Sequence, residues 1–276
     1  MNMSQRNFPA GHGIEWLKQT FNLLKQNPLP FLLMGLILGV MAIIPVLGSL
    51  ALLILAPTFY AGIAYAAREQ DQGRPADFKQ LFQGFNEPGR LGPLIALCLP
   101  QVAAAIVLTV LSVVLLGGAI MSGAALSDGS GAAALAAFGV GGLILVVIAF
   151  AVGLAVFMLQ VFAVPKVMFE GGDAFAAMKQ SFAAAMANIG AILVFVVVLS
   201  VGVLVPAALL SWLPFIGMLI VLSAFYAFFG VALYVIYRDV YGVPAASIAA
   251  TFVPAPPSPP APPAPPAPSA ESPNQG

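Results

Sequence analysis

Charge is what this sequence most lacks. Asp, Glu, Lys and Arg together make up 7% of its 276 residues, whereas a soluble globular domain carries about a quarter. So little charge cannot cover a surface that faces water on all sides, and lipid must supply the rest of the solvent. The ten Lys+Arg cancel the ten Asp+Glu, leaving no basic excess of the kind that binds nucleic acid. A single cysteine, Cys98, excludes an intramolecular disulfide and any multi-cysteine metal site. A single histidine, His12, removes most metal-ligand and acid–base schemes. No cofactor is expected, and no enzyme chemistry.

What is present is apolar. Hydrophobic residues make up 61% of the chain, and mean hydropathy is +1.02. The first long apolar run opens near Leu29, after Arg6, Lys18 and Lys25, and continues without a charge to Ala67. That exceeds the ~7–15-residue core of a cleavable signal peptide and is enough for about two membrane spans. Further uncharged stretches run Leu91–Ser127, Gly129–Pro165 and Ile189–Tyr237. Pro45-Val46-Leu47-Gly48 and Pro214-Phe215-Ile216-Gly217 divide the two longest, proline ending a helix and glycine permitting reversal. The pattern predicts an all-α, polytopic membrane bundle with spans near 29–47, 49–67, 92–118, 136–164, 189–211 and 215–237. They form three hairpins, with the membrane domain covering 29–242.

Every Lys and Arg falls on one side of these spans. The positive-inside rule makes that side cytoplasmic, with both termini on it. The sizeable outer loop, near Gly118–Ala134, carries Asp128 and no cation. Residues 1–28 form a cytoplasmic arm. Residues 243–276, dominated by Pro, Ala and Ser, cannot bury a core and are expected to be a disordered spacer.

The cytoplasmic connections carry amphipathic helices. Ile14, Trp16, Leu17, Phe21, Leu23 and Leu24 share half of one helix, opposite Glu15, Lys18, Gln19, Asn22, Lys25 and Gln26. Phe78, Leu81, Phe82 and Phe85 mark a second. Phe175, Met178, Phe182 and Met186 mark a third. Such helices suit the bilayer interface, and equally suit packing on helix ends. Each carries the pattern K-Q-x-F, at Lys18, Lys79 and Lys179, with Asn27, Pro88 and Asn188 nine residues on. Phe59-Tyr60-Ala61 matches Phe225-Tyr226-Ala227, and Arg68-Glu69 matches Arg238-Asp239. Three units of interfacial helix plus hairpin would form a parallel internal repeat.

On these boundaries no ionisable residue lies inside a span. Buried proton relays and intramembrane metal sites are therefore excluded. Two amides remain. Gln101 and Gln160 are expected at similar depth, where each satisfies the other or both mark a small polar cavity. Gly35 and Gly39 form a G-x-x-x-G, expected to seat a neighbouring helix of the same chain. Gly171-Gly172-Asp173 reads as a turn feeding an N-cap. Cys98 reads as an apolar filler and His12 as a solvated bystander. Trp16, Trp212, Tyr65, Tyr234, Tyr237 and Tyr241 are placed in an aromatic belt at the interfaces.

The Trp16-Leu17-Lys18 helix, the Asn27-Pro28 entry, Phe59-Tyr60-Ala61-Gly62, Lys179–Asn188 and Tyr237-Arg238-Asp239 together resemble a known group. It is an uncharacterised family of bacterial six-helix inner-membrane proteins, matched over roughly residues 12–242. The layout is also similar to the membrane domain that some bacteria fuse ahead of a glycerophosphodiester phosphodiesterase. That catalytic domain is absent here. The resemblance implies topology and location, not activity. The leading expectation is a non-enzymatic scaffold or accessory protein whose partners are the lipid bilayer and another membrane protein. The alternative is a transporter or lipid-handling protein for an uncharged or amphiphilic cargo. An enzymatic site on the rim, from Arg68, Glu69, Asp71, Arg238 and Asp239, ranks last, because those charges read more simply as solvated flanks.

Overall fold

The computed structural model describes residues 6–125 and 132–242. The expected tail, 243–276, and Asp128 of the outer loop lie outside the described residues. All regular structure among the described residues is helical. In chain order the helices are α1 (His12–Gln26), α2 (Pro28–Ile43) and α3 (Leu47–Asp71), then a 3-10 turn (Phe78–Phe82) running into α4 (Gln83–Asn86). There follow α5 (Leu91–Ala96), α6 (Leu99–Ala125), α7 (Ala132–Gln160), α8 (Ala163–Phe169), α9 (Ala174–Ala187), α10 (Ile189–Leu209) and α11 (Pro214–Tyr241).

Among the described residues five spans are long and apolar enough to cross a bilayer; a sixth is counted if α1 and α2, bent by 106° at Asn27, are taken together. The bend has a local cause. Residues preceding proline avoid helical torsions, and Asn27, before Pro28, takes φ −151° and ψ 82°. At ~1.5 Å per residue α2 is about 24 Å long, a short crossing for a hydrocarbon core of ~30 Å.

The boundaries differ from the expected ones where tertiary contacts intervene. The first span stops at Ile43, and α3 and α11 run on to Asp71 and Tyr241, past the charges expected to end them. Those charges pair with one another, so the helices need not stop for water. The third span is broken at Leu97-Cys98, and the fourth at Val161-Phe162.

Gly48 and Gly217 do not supply the reversals expected of them. Both are helical and buried, and the first turn is made at Val46, whose φ 60° and ψ −64° form a γ-turn closed by the Leu47 N–H on the Pro45 carbonyl at 2.7 Å. The two glycines instead let the chain close on itself. A Cβ on Gly48 would overlap the carbonyl oxygen of Met41, and one on Gly217 that of Leu210, in each case seven residues back. The two turns therefore share one construction.

The packed centre is α2, α3 and α11. Gly35 and Gly39 lay α2 against Ser223 of α11, so closely that a Cβ on Gly35 would overlap the Ser223 carbonyl. The G-x-x-x-G thus joins two helices of one chain. Gly230 of α11 rests on Ile63 of α3, and the Tyr60 ring sits 4.9 Å from that of Phe229. Lipid is as apolar as leucine, so close van der Waals approach, rather than exclusion of water, holds such helices together. Around this centre α6, α7 and α10 are mostly exposed, presenting Ile106, Val110, Leu143, Val147, Val197 and Val201 outward. In water such a face would aggregate; in a bilayer it is the expected surface.

The K-Q-x-F segments present a common burial pattern. Thr20, Leu81 and Ser181 are fully buried, while Phe21, Phe82 and Phe182 are exposed. Each segment therefore packs inward by its third residue and turns its phenylalanine out.

Gly35→Ala is expected to destabilise the protein by about 1–3 kcal/mol, the usual cost of overpacking. Gly202→Ala, whose new Cβ meets open space, is expected to gain about 0.5–1 kcal/mol from helix propensity. Thermal unfolding of both variants in detergent, beside the unsubstituted protein, checks the opposite signs.

Candidate functional site

Two breaks in the membrane helices set the geometry. Pro100 has no N–H and interrupts the hydrogen-bond ladder, and the chain turns at Leu97-Cys98 between α5 and α6. The Leu97 carbonyl at this break accepts a hydrogen bond from Gln160 Nε2 at 2.8 Å. At the α7–α8 break, Ser181 of α9 donates to the Met158 carbonyl at 2.8 Å and accepts from the Phe162 N–H at 3.1 Å. Broken backbone is tolerated in a membrane when neighbouring side chains satisfy it in this way.

Gln160 is 7% exposed. Its Oε1 accepts from Gln101 Nε2 at 3.1 Å, so the two amides and the Leu97 carbonyl form a chain of donors and acceptors. The chain leaves one group over. Gln101 Oε1 is buried and has no hydrogen-bond partner. A buried acceptor in that state costs about 1–3 kcal/mol, so its persistence calls for an explanation.

The amide pair lies in the wall of a cavity of about 440 Å³ bounded by α3, α6, α7, α10 and α11. That volume falls within the ~300–1,000 Å³ typical of small-molecule sites. Apart from the two glutamines, Tyr60 and Ser200, the lining is Gly, Val, Leu and Phe. Ser200 is occupied with the Val196 carbonyl at 2.8 Å. Gly153 and the exposed Leu204 line the cavity where α7 and α10 stand apart, and an added Cβ on Gly153 would meet open space. The cavity is thus a cleft reachable sideways from the lipid-facing surface, with its amides near the α7 end that carries α8 and α9.

Nearby, at the ends of α3 and α11, lies a charged cluster. Arg238 donates to Asp71 at 2.9 Å and to Gln19 Oε1 at 2.7 Å, and the Tyr234 hydroxyl donates to Asp71 at 2.7 Å. Gln19 Nε2 and His12 Nε2 both lie against Asp239 Oδ2, at 3.3 and 3.1 Å. The Tyr237 hydroxyl reaches Glu170, which also pairs with Lys166 at 2.6 Å. Glu69 binds Arg74, and Arg68 stacks over Tyr65 and Phe169.

Three expectations are overturned here. The rim charges Glu69, Asp71, Arg238 and Asp239 are not solvated flanks; their side chains are 10–18% exposed and paired, Arg238 with Asp71 and Asp239, and Glu69 with Arg74. His12 is no bystander, since its ring stacks on Phe8 at 4.1 Å and meets Asp239. Nor do the six expected aromatics form a belt: Trp16 is fully buried, Tyr234, Tyr237 and Tyr241 are buried too, Tyr65 is half-buried, and Trp212 is exposed. Each misreading has one cause. A residue's sequence position near a span end fixes its depth but not whether a neighbour covers it.

Two residues were not recognised as structural ties from the sequence. Ser181 occupies the variable place in K-Q-x-F. Asn188 straps down the N-terminal arm, accepting from the Phe8 N–H at 2.8 Å and donating to the Arg6 carbonyl at 3.2 Å. Asp173 does cap α9 as its Gly-Gly-Asp context implies, accepting from the Ala176 N–H at 2.8 Å. Cys98 is buried at the α5–α6 break. Among the described residues, no three of His, Cys, Asp and Glu gather in a group able to hold a metal ion.

No family model matches the chain, and no curated protein or solved structure matches it either. The class that fold and site define is a polytopic, all-helical membrane protein.

Arg238→Met leaves Asp71 with Tyr234 but without its cation. A loss of about 1–3 kcal/mol is expected, discounted from the fully buried case because both groups keep some contact with solvent. In the double variant Asp71→Asn/Arg238→Met the loss is expected to be less than the sum of the single ones. A double-mutant cycle on thermal unfolding checks the coupling.

Proposed function

We propose that the protein handles an uncharged amphiphile taken from the bilayer, holding its apolar part in the cleft between α7 and α10. One observation carries this reading: the hydrogen-bonded amides of Gln101 and Gln160, with an unpartnered Oε1 on Gln101, stand at the wall of a cavity whose lining is apolar apart from them, Tyr60 and Ser200. A ligand with a hydroxyl or amide donor at the end of an apolar chain would fill the cavity and satisfy that shielded oxygen once the half-buried Gln101 side chain turns to meet it. The absence of charge in the lining argues against a charged headgroup there, since an unpaired ion in apolar surroundings is costly. Lateral entry suits a cargo that never leaves the membrane. Handling of this kind need not involve bond-making, and we propose a non-enzymatic role.

The setting we propose is a bacterial inner membrane with both ends of the chain cytoplasmic. Arg68 and Arg74 pair with Glu69, Lys166 with Glu170 and Arg238 with Asp71, around the ends of α3, α8 and α11, and the positive-inside rule assigns such an end to the cytoplasm. The resemblance to bacterial six-helix inner-membrane proteins, and the common burial pattern of the three K-Q-x-F segments, support this setting and a parallel repeat.

A scaffold for another membrane protein is the second reading. Its support is the exposed Phe175, Phe182 and Met186 along one face of α9.

The test is mass spectrometry of the protein extracted in native lipid discs, beside Gln101→Leu and Gly153→Leu. The first variant removes the acceptor, and the second fills the cleft without touching the amides. An amphiphile enriched with the unsubstituted protein and reduced about ten-fold or more in both variants is the expected result; loss of one such hydrogen bond is worth about that factor. A reproducible protein partner with no enriched amphiphile would overturn the proposal in favour of the scaffold.

A further inference from the structure

α10 leans on α11 along a ridge, where Leu199 and Val203 meet Phe225. These three residues line two cavities at once, the cleft already described and a second of about 460 Å³. The second lies between α1, α10 and α11 and shares no polar residue with the first. It runs along α10 from Val198 to Pro206, about 12 Å at ~1.5 Å per residue, so its long direction follows that of an acyl chain in the bilayer. Its lining is apolar except for one residue, Lys18.

Lys18 stands at the α1 end of the groove. Its side chain is 65% exposed, and its one acidic neighbour, Glu15, is 3.8 Å away and itself 47% exposed. So long and exposed an ion pair holds the ammonium only weakly. Beside it Phe21, 55% exposed, projects with Lys25 over its ring at 5.0 Å. The 106° bend at Asn27 turns α1 sharply away from the span. An apolar channel parallel to the lipid chains, capped by a cation on a sharply bent amphipathic helix, matches the two ends of one kind of molecule.

We propose that this groove is a binding site for an anionic phospholipid, with one acyl chain lying against α10 and α11 and the phosphodiester on Lys18. The charge complementarity is specific: no acidic residue lines the groove. A lysine suits a phosphodiester as a point charge, and its flexible stem places the ammonium at the headgroup level while its methylenes cover the groove. This site is separate from the uncharged-amphiphile cleft and does not rest on it.

The experiment uses the full chain in bilayer discs of phosphatidylcholine and phosphatidylglycerol in equal parts, with native mass spectrometry of the lipids retained on release. Phosphatidylglycerol is expected to be retained over phosphatidylcholine by about five-fold, the size of one lysine's attraction to an anionic surface. Lys18→Ala is expected to abolish the preference and Lys18→Arg to keep it. Gly202→Leu, built into open space within the groove, is expected to reduce retention of both lipids without lowering the melting temperature. Gly153→Leu, which fills the other cleft, is expected to leave phosphatidylglycerol retention unchanged. An unchanged preference in Lys18→Ala, undiminished retention in a folded Gly202→Leu, or loss of phosphatidylglycerol in Gly153→Leu would each overturn the proposal.

Discussion

The close approach of α2 to α11 at Gly35 and Gly39 is the contact on which the rest of the molecule hangs. Helices in lipid gain nothing from hiding apolar surface, so they associate where backbones can come near enough for dense dispersion contact. Small residues make that possible along α2 and α11, and Gly230 extends it to α3. Three helices are thereby fixed as a unit. The remaining spans have no such small-residue seam onto that unit. They reach it through bulky residues, and bulky residues in sparse contact leave space between them. The cleft beside α7 and the groove beside α1 are therefore by-products of where the glycines are not.

The charged cluster at the end of α3 and α11 answers a different constraint. Ionisable groups at the edge of a hydrocarbon phase must be paired or hydrated, and here they are paired. Asp71, Arg238 and Tyr234 tie α3 to α11, while Asp239, Gln19 and His12 extend the tie to α1. Pairing lets both helices run to full length beyond the last apolar residue. It also fixes α1 on the bundle, so the amphipathic helix is a wall of the structure.

The sequence made the spans visible because lipid solvation is written in composition: long uncharged runs, with prolines at two of the turns, leave few alternatives. The Gln101–Gln160 pairing was legible for the same reason, since two amides at matched depth in apolar surroundings have little else to bond. What the sequence hid was everything decided by a distant neighbour. The helix breaks at Leu97 and Val161 hold because Gln160 and Ser181 come to them from other helices. His12 and Trp16 are covered by Phe8, which nothing in their own segment announces. The cavities were invisible, because an all-apolar helix has no periodicity that separates its packed side from its lipid side.

The strap formed by the N-terminal arm has one further consequence. The Arg6 N–H donates to the Val240 carbonyl at 3.0 Å, while Asn188 holds Phe8 and Arg6 from the start of α10. The described polypeptide is thus a ring, its first and last residues side by side and fastened by hydrogen bonds. A ring already closed in the folded state can be sealed by a peptide linker without straining that state, and sealing it takes freedom only from the unfolded chain. By the same geometry the ring can be cut elsewhere. The turn between α2 and α3, where Val46 is held at a positive φ in a γ-turn, is the place where new ends would relieve a strained residue.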